Sequence, residues 1–189
     1  MTRRVPIFAT LIVLVAAGIM ISLGVWQLRR LHQKEALLAD YAAAQNSREE
    51  IEWTSAGVRE EQFYHRARLT CTAVTAHSSI AGRSVADQLG LAQTAQCVLP
   101  GGGTARVVLG WSAQPNAATS WPGGEVRGVI APGPRLVADP PLAGLEANAA
   151  PDPAQIPNNH LSYAVQWFFF AATAVVIYVL ALTRRGKRG

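Results

Sequence analysis

Residues 5–28 read VPIFATLIVLVAAGIMISLGVWQL, without one charged side chain, between Arg4 and Arg29. Residues 161–183 read LSYAVQWFFFAATAVVIYVLALT, equally uncharged, and stop at Arg184. At about 1.5 Å of rise per residue, either stretch as a helix covers the ~30 Å hydrocarbon core of a bilayer. The pair predicts an α+β membrane protein: two transmembrane helices, N- and C-terminal, flanking a small antiparallel β-rich translocated domain. The expected divisions are 1–28 for a cytoplasmic N-terminus and first helix, 29–160 for the translocated domain, and 161–189 for the second helix and a basic tail.

Charge supports this order. The 189 residues carry a formal charge of +5. Six of the 17 Lys and Arg, namely Arg3, Arg4, Arg184, Arg185, Lys187 and Arg188, lie outside the two apolar stretches. The other eleven share residues 29–160 with all 12 Asp and Glu, leaving that region near −1. Basic flanks are retained in the cytoplasm, so both termini are expected inside, with 29–160 on the far side of an inner membrane. Arg29, Arg30 and Lys34 pull weakly the other way. The high isoelectric point therefore reflects membrane orientation; the basic residues form no aromatic-interleaved patch, and nucleic acid is not an expected partner. A cleaved signal peptide has a core of about 7–15 apolar residues and a small-x-small site. Here apolar character runs on through Leu23, Val25, Trp26 and Leu28 with no such site, which indicates an uncleaved anchor.

Beyond the first span, Leu28, Leu31, Leu37, Leu38 and Tyr41 interleave with charged residues, predicting a helix to about Ala44. Residues 63–76, 94–99, 104–113 and 125–131 read as strands, the middle two joined by the turn Pro100-Gly101-Gly102-Gly103. Residues 132–157, rich in Pro, Ala and Gly, read as a long connection. Cys71 and Cys97 lack C-x-x-C spacing; they are either two small buried residues or one structural bridge. His65 falls in an expected strand, and His77 in an expected turn. Neither they nor His32 have partners at metal-site spacing. No nucleophile, acid–base or phosphate-loop motif appears, so no catalytic residue is expected.

Two polar clusters stand out at the far ends of the spans: Gly24-Val25-Trp26-Gln27 with Arg29, Arg30 and Lys34, and Pro157-Asn158-Asn159-His160-Leu161-Ser162-Tyr163-Ala164-Val165-Gln166-Trp167. The orientation puts them at one depth, Trp26 and Gln27 opposite His160, Tyr163, Gln166 and Trp167. His160, Tyr163 and Trp167 share a helix side by their spacing of three and four, with Gln166 beside them. Asn158 or Asn159 can cap the helix. A neutral imidazole there can ligate haem iron or copper. The alternative is an interfacial aromatic belt with a histidine bonded to water or headgroups.

Together these clusters resemble the surfeit locus protein 1 family, assembly factors of cytochrome c oxidase. Gly24, Trp26, Gln27, Arg30 and Lys34 match the family's first-span pattern. Asn158, Asn159, His160, Leu161, Tyr163, Ala164, Gln166 and Trp167 match its second. The middle departs: Tyr64 and Ala67 are followed by Cys71 where the family has glycine, and Val108-Leu109-Gly110-Trp111 stands where it has Asn-Arg-Gly-Trp. The resemblance implies a non-enzymatic role in inserting haem a into the catalytic subunit of a haem–copper oxidase, with His160 as the iron ligand. Depth and spacing make Trp26, Gln27, Tyr163, Gln166 and Trp167 the rest of the haem-binding pocket. Implied partners are that subunit, other oxidase assembly factors and membrane lipid. The implied location is a bacterial inner membrane, or its mitochondrial counterpart. A scaffold that holds an oxidase intermediate without haem shares the same motifs.

Overall fold

A computed structural model describes residues 6–115, 117 and 120–185. Arg3, Arg4, Val5, Lys187 and Arg188, and the side chain of Arg185, lie outside the described residues. The chain divides into two compact units, one drawn from Met1–Leu37 with Pro157–Gly189, the other from Leu38–Ile156.

The first unit is a pair of helices, the first part of α1 (Ile7–Asn46) and α2 (His160–Arg185). Both are long and apolar enough to cross a membrane. Their outward surfaces are covered by large apolar side chains, with Ile7 81% and Phe8 78% exposed. The inward side of α1 follows a heptad: Thr10, Ala17 and Gly24 at steps of seven, with Val13, Met20 and Gln27 between, are buried or half-buried. On α2 the same spacing picks out His160, Ala164, Trp167, Ala171, Ala174 and Tyr178. Three-and-four spacing makes a narrow seam, and small residues let the backbones approach where hydrophobicity alone cannot drive pairing in lipid. Gly24 shows how close: a Cβ there would lie 2.6 Å from Cε1 of Phe168.

Polar contacts mark both ends of the seam. The Thr10 and Tyr178 hydroxyls are hydrogen-bonded at one end, and Gln27 meets His160 at the other. The helices are therefore antiparallel. Seventeen residues of α1 separate the two contacts, about 26 Å of helix, close to the thickness of a hydrocarbon core.

The second unit is a seven-stranded sheet in the order β1-β2-β6-β7-β5-β4-β3. Its strands are β1 (Glu50–Glu52), β2 (Arg66–Cys71), β3 (Ala73–Arg83), β4 (Leu89–Val98), β5 (Thr104–Ser112), β6 (Gly124–Ala131) and β7 (Arg135–Ala138). In β2 alternation puts Ala67, Leu69 and Cys71 into the core and the intervening residues outside. The last turns of α1 supply Tyr41 and Ala44 to that core, beside Trp53, Phe63, Tyr64, Leu109 and Ile130. Tyr41 and Tyr64 pack at 4.7 Å between ring centres. A smaller cluster comprises Ala92, Val108, Ala131 and Val137. Cys71 and Cys97 form a buried disulfide across the ends of β2 and β4.

Several expectations need correction. The sheet is mixed, not purely antiparallel: β1 runs parallel to β2 and β7 parallel to β5. The reason is the turn after β6, which sends β7 back into the slot between β6 and β5. The supposed connection 132–157 thus contains a strand. The run 63–76 is not one strand: Tyr64 has φ 68°, a left-handed conformation that ends extended structure, and the chain breaks again at Thr72. His65 accordingly precedes β2, and His77, expected in a turn, lies within β3.

Candidate functional site

The start of α2 is fixed by its own backbone. The Asn159 carbonyl accepts from the Tyr163 N–H at 3.2 Å, which makes Asn159 the capping position and His160 the first helical residue. The oxygen Oδ1 of Asn158 is buried and has no hydrogen-bond partner among the described residues.

His160 faces α1. Its Nδ1 lies 2.7 Å from Oε1 of Gln27. A carboxamide oxygen only accepts, so Nδ1 carries the proton and donates. In the neutral ring the lone pair then resides on Nε2. This is the arrangement found behind metal-bound histidines, where a hydrogen bond to one nitrogen fixes the tautomer and orients the other. The donor set therefore fits a soft-to-borderline metal with one protein ligand, as in haem. Among the described residues no three His, Cys, Asp or Glu side chains come together, so His160 stands as a single imidazole.

The other expected site residues are placed by helix phase. Each residue turns an α-helix by about 100°. Counted from Gln27, Arg30 and Trp26 lie back around α1 by roughly 60° and 100°. Counted from His160, the positions of Trp167, Tyr163 and Gln166 lie back around α2 by roughly 20°, 60° and 120°. In an antiparallel pair, equal turns in this sense lead to the same side of the seam. Trp26, Arg30, Tyr163 and Trp167 therefore flank the Gln27–His160 contact on one side, while Gly24 and Phe168 close the other.

Exposure agrees with this placement. Trp26 is 48% and Tyr163 51% exposed, Gln166 is exposed and turned farthest from the seam, and Trp167 is half-buried. Trp167 makes an edge contact with Phe170 at 6.2 Å. His160 and Gln27 are in direct contact; the remaining four line an open flank beside them. Spacing within α2 alone grouped Tyr163 with His160, yet the seam runs through His160, Ala164 and Trp167. Arg30 completes the flank: its guanidinium carbon sits 5.6 Å from the centre of the Trp26 ring. Its Nη1 also donates to Oε1 of Gln33 at 3.2 Å. The match of Arg30 to the first-span pattern was the only sequence signal for it.

The sheet unit has a separate concavity of about 480 Å³, floored by Ala92, Val108 and Val137. Arg83 at its rim is neutralised by Asp87 at 2.6 Å, and Arg135 donates to the Pro132 carbonyl at 2.5 Å. No nucleophile–base pair converges there among the described residues.

The family model described as the SURF1 family matches residues 14–172. Compared with curated proteins, the chain has no match. The family is one of membrane-associated assembly factors, associated with cytochrome c oxidase assembly. The match starts inside α1, encloses the whole sheet unit with its altered central motifs, and ends inside α2 beyond the Gln27–His160 contact: the chain belongs to the SURF1 family.

Proposed function

We propose that this chain is a two-span inner-membrane protein that holds haem a and passes it to the catalytic subunit of a haem–copper oxidase, with His160 as the iron ligand. The observation that carries the reading is the 2.7 Å contact between His160 Nδ1 and Gln27 Oε1. It presents Nε2 as a lone pair at the end of an apolar helix seam. Trp26, Tyr163 and Trp167 offer aromatic surface on the same flank, and Gln166 a polar edge. When bound, the haem supplies its own redox chemistry; the protein's part is to ligate, cover and release. Delivery requires only that the oxidase bind the group more tightly than this site does.

The disulfide supports the orientation. Cys71 and Cys97 are bridged in the sheet unit, and such bonds persist in oxidising compartments outside the cytosol. Arg184, at the other end of α2, fits the retained basic flank. Other oxidase assembly factors and bilayer lipid complete the proposed partners.

The test is the optical spectrum of full-length protein extracted from cells that make haem a. His160→Ala is expected to lose the co-purifying haem band at unchanged protein yield. Gln27→Leu is expected to keep the ligand but bind about 10- to 100-fold more weakly, as happens when a metal-bound histidine loses the hydrogen bond that orients it. A His160→Ala variant with wild-type haem content overturns the ligand assignment. Wild type without any haem affinity would favour the scaffold reading.

A further inference from the structure

We infer that Arg30, held on Trp26, is the carboxylate-binding residue of this site, so that its ligand is a flat, largely apolar molecule with an acidic edge. The inference rests on the proposed haem-binding reading and specifies how the ligand is oriented. Three observations lead to it.

The first is position. Arg30 lies on the open flank of the seam, the same side as Trp26, Tyr163 and Trp167. Helix rise sets it about 4.5 Å beyond Gln27, away from the hydrocarbon, whereas Tyr163 and Trp167 lie about 4.5 and 10 Å on the hydrocarbon side of His160. A ligand ligated by His160 on this flank has its apolar body beside the aromatic residues and its opposite edge beside Arg30.

The second is restraint. The guanidinium carbon lies over the Trp26 ring, 5.6 Å from its centre, and Nη1 donates to Gln33 at 3.2 Å. One hydrogen bond leaves donors free, since an arginine carries five N–H groups. A cation–π contact and a hydrogen bond together narrow the positions of the guanidinium before a ligand arrives, which reduces the ordering cost of a charge-assisted contact.

The third is charge. Among the described residues Arg30 makes no ion pair, whereas Arg59, Arg68, Arg83 and Arg127 each pair with a carboxylate of the sheet unit. Arg29, one residue earlier, provides the contrast. It has the same charge at nearly the same depth, but lies roughly 200° around α1 from Gln27, on the far side from the flank.

The test uses the full chain in nanodiscs of zwitterionic lipid, titrated optically with haem and with haem dimethyl ester, whose carboxylates are masked. Arg30→Gln is expected to weaken haem binding about ten- to hundredfold, the worth of one charge-assisted bidentate contact, with the band position unchanged. The same variant should bind the dimethyl ester as wild type does, within about twofold. Arg29→Gln should alter neither. Wild-type haem affinity in Arg30→Gln overturns the inference. So does an equal loss for haem and ester, which would mean a packing role. Equal losses in Arg29→Gln and Arg30→Gln also overturn it, since they would mean general attraction at the headgroup surface. If instead His160→Ala bound both compounds like wild type, the parent reading would fall and take this one with it.

Discussion

Removing the Cys71–Cys97 bridge tests both the packing of the sheet unit and the proposed placement of that unit outside the cytosol. The bridge joins positions 26 residues apart. Closing a loop of that length lowers the entropy of the unfolded chain by about 12 cal/mol/K, or about 3.5 kcal/mol at 25 °C. For a unit of this size such a loss corresponds to roughly 10–15 °C in melting temperature. Both sulfurs are buried, so Cys71→Ala/Cys97→Ala adds a packing loss and no unsatisfied polar group. The assay is urea unfolding of the detergent-solubilised chain by tryptophan fluorescence, since Trp53 and Trp111 are buried in this unit. The midpoint should fall and the slope change little, and reductant should move the wild type towards the variant. In intact cells the two thiols should resist alkylation until reductant is added. A loss below about 1 kcal/mol would refute the loop-entropy argument. Free, alkylatable thiols in growing cells would refute the oxidising-compartment placement.

Two further outcomes concern the same unit. Gly128 pairs with Ala138 between β6 and β7, and a Cβ on it would overlap the Val137 carbonyl oxygen. Gly128→Ala must therefore part the strands, and a loss above roughly 3 kcal/mol in urea unfolding is expected; wild-type stability would contradict the registered pairing. Burial raises both the Tyr64 and the Tyr41 phenol above 10.0, with Glu60 adding to the shift at Tyr41 and Tyr41 to that at Tyr64. Below pH 10 both folded and unfolded chains keep these protons, and the stability is complete. Above it the unfolded chain ionises first, so the melting temperature should fall as pH rises through the raised values, and a Tyr41→Phe/Tyr64→Phe variant should lose that dependence.

The two long apolar helices and the polar clusters at their ends were legible because residues 5–28 and 161–183 carry no charge. Common depth was enough to set Gln27 against His160. The seam itself was hidden. Outward-facing Ile7 and Phe8 are as apolar as anything packed inside, so the helices show no polar–apolar contrast, and small residues at Ala17, Gly24, Ala164 and Ala171 mark the contact. Without the seam, the phase of Tyr163 and Gln166 relative to His160 could not be set. In the sheet unit, β-favouring residues located β2 within the run 63–76, the turn Pro100–Gly103 located β5 and the end of β4, and residues 125–131 fall in β6. The break at Tyr64 was missed because left-handed backbone at a tyrosine has no side-chain signature. β7 was missed because four residues after Pro132-Gly133-Pro134 are too few to show a period, and its parallel neighbour β5 lies far back in the chain.

The bond that orients the imidazole is also one of the few forces holding the two helices together. In lipid, apolar side chains gain nothing by leaving the bilayer for one another, so close packing and interhelical hydrogen bonds must supply the association. Such hydrogen bonds are worth about 0.6 kcal/mol on average. At the His160 end the clasp among the described residues is the bond from Gln27 to His160, next to the tight Gly24–Phe168 contact. On the proposed reading, ligand orientation and helix pairing are therefore coupled. Whatever parts the helices at this end frees Nδ1, lets the ring turn and removes the aromatic flank from α1 at the same moment. A partner helix that competes for Gln27 could weaken iron ligation without touching the iron. On the proposed reading, the orienting bond and the open flank leave Nε2 accessible, so that loosening the helix pair at this end also releases the cargo.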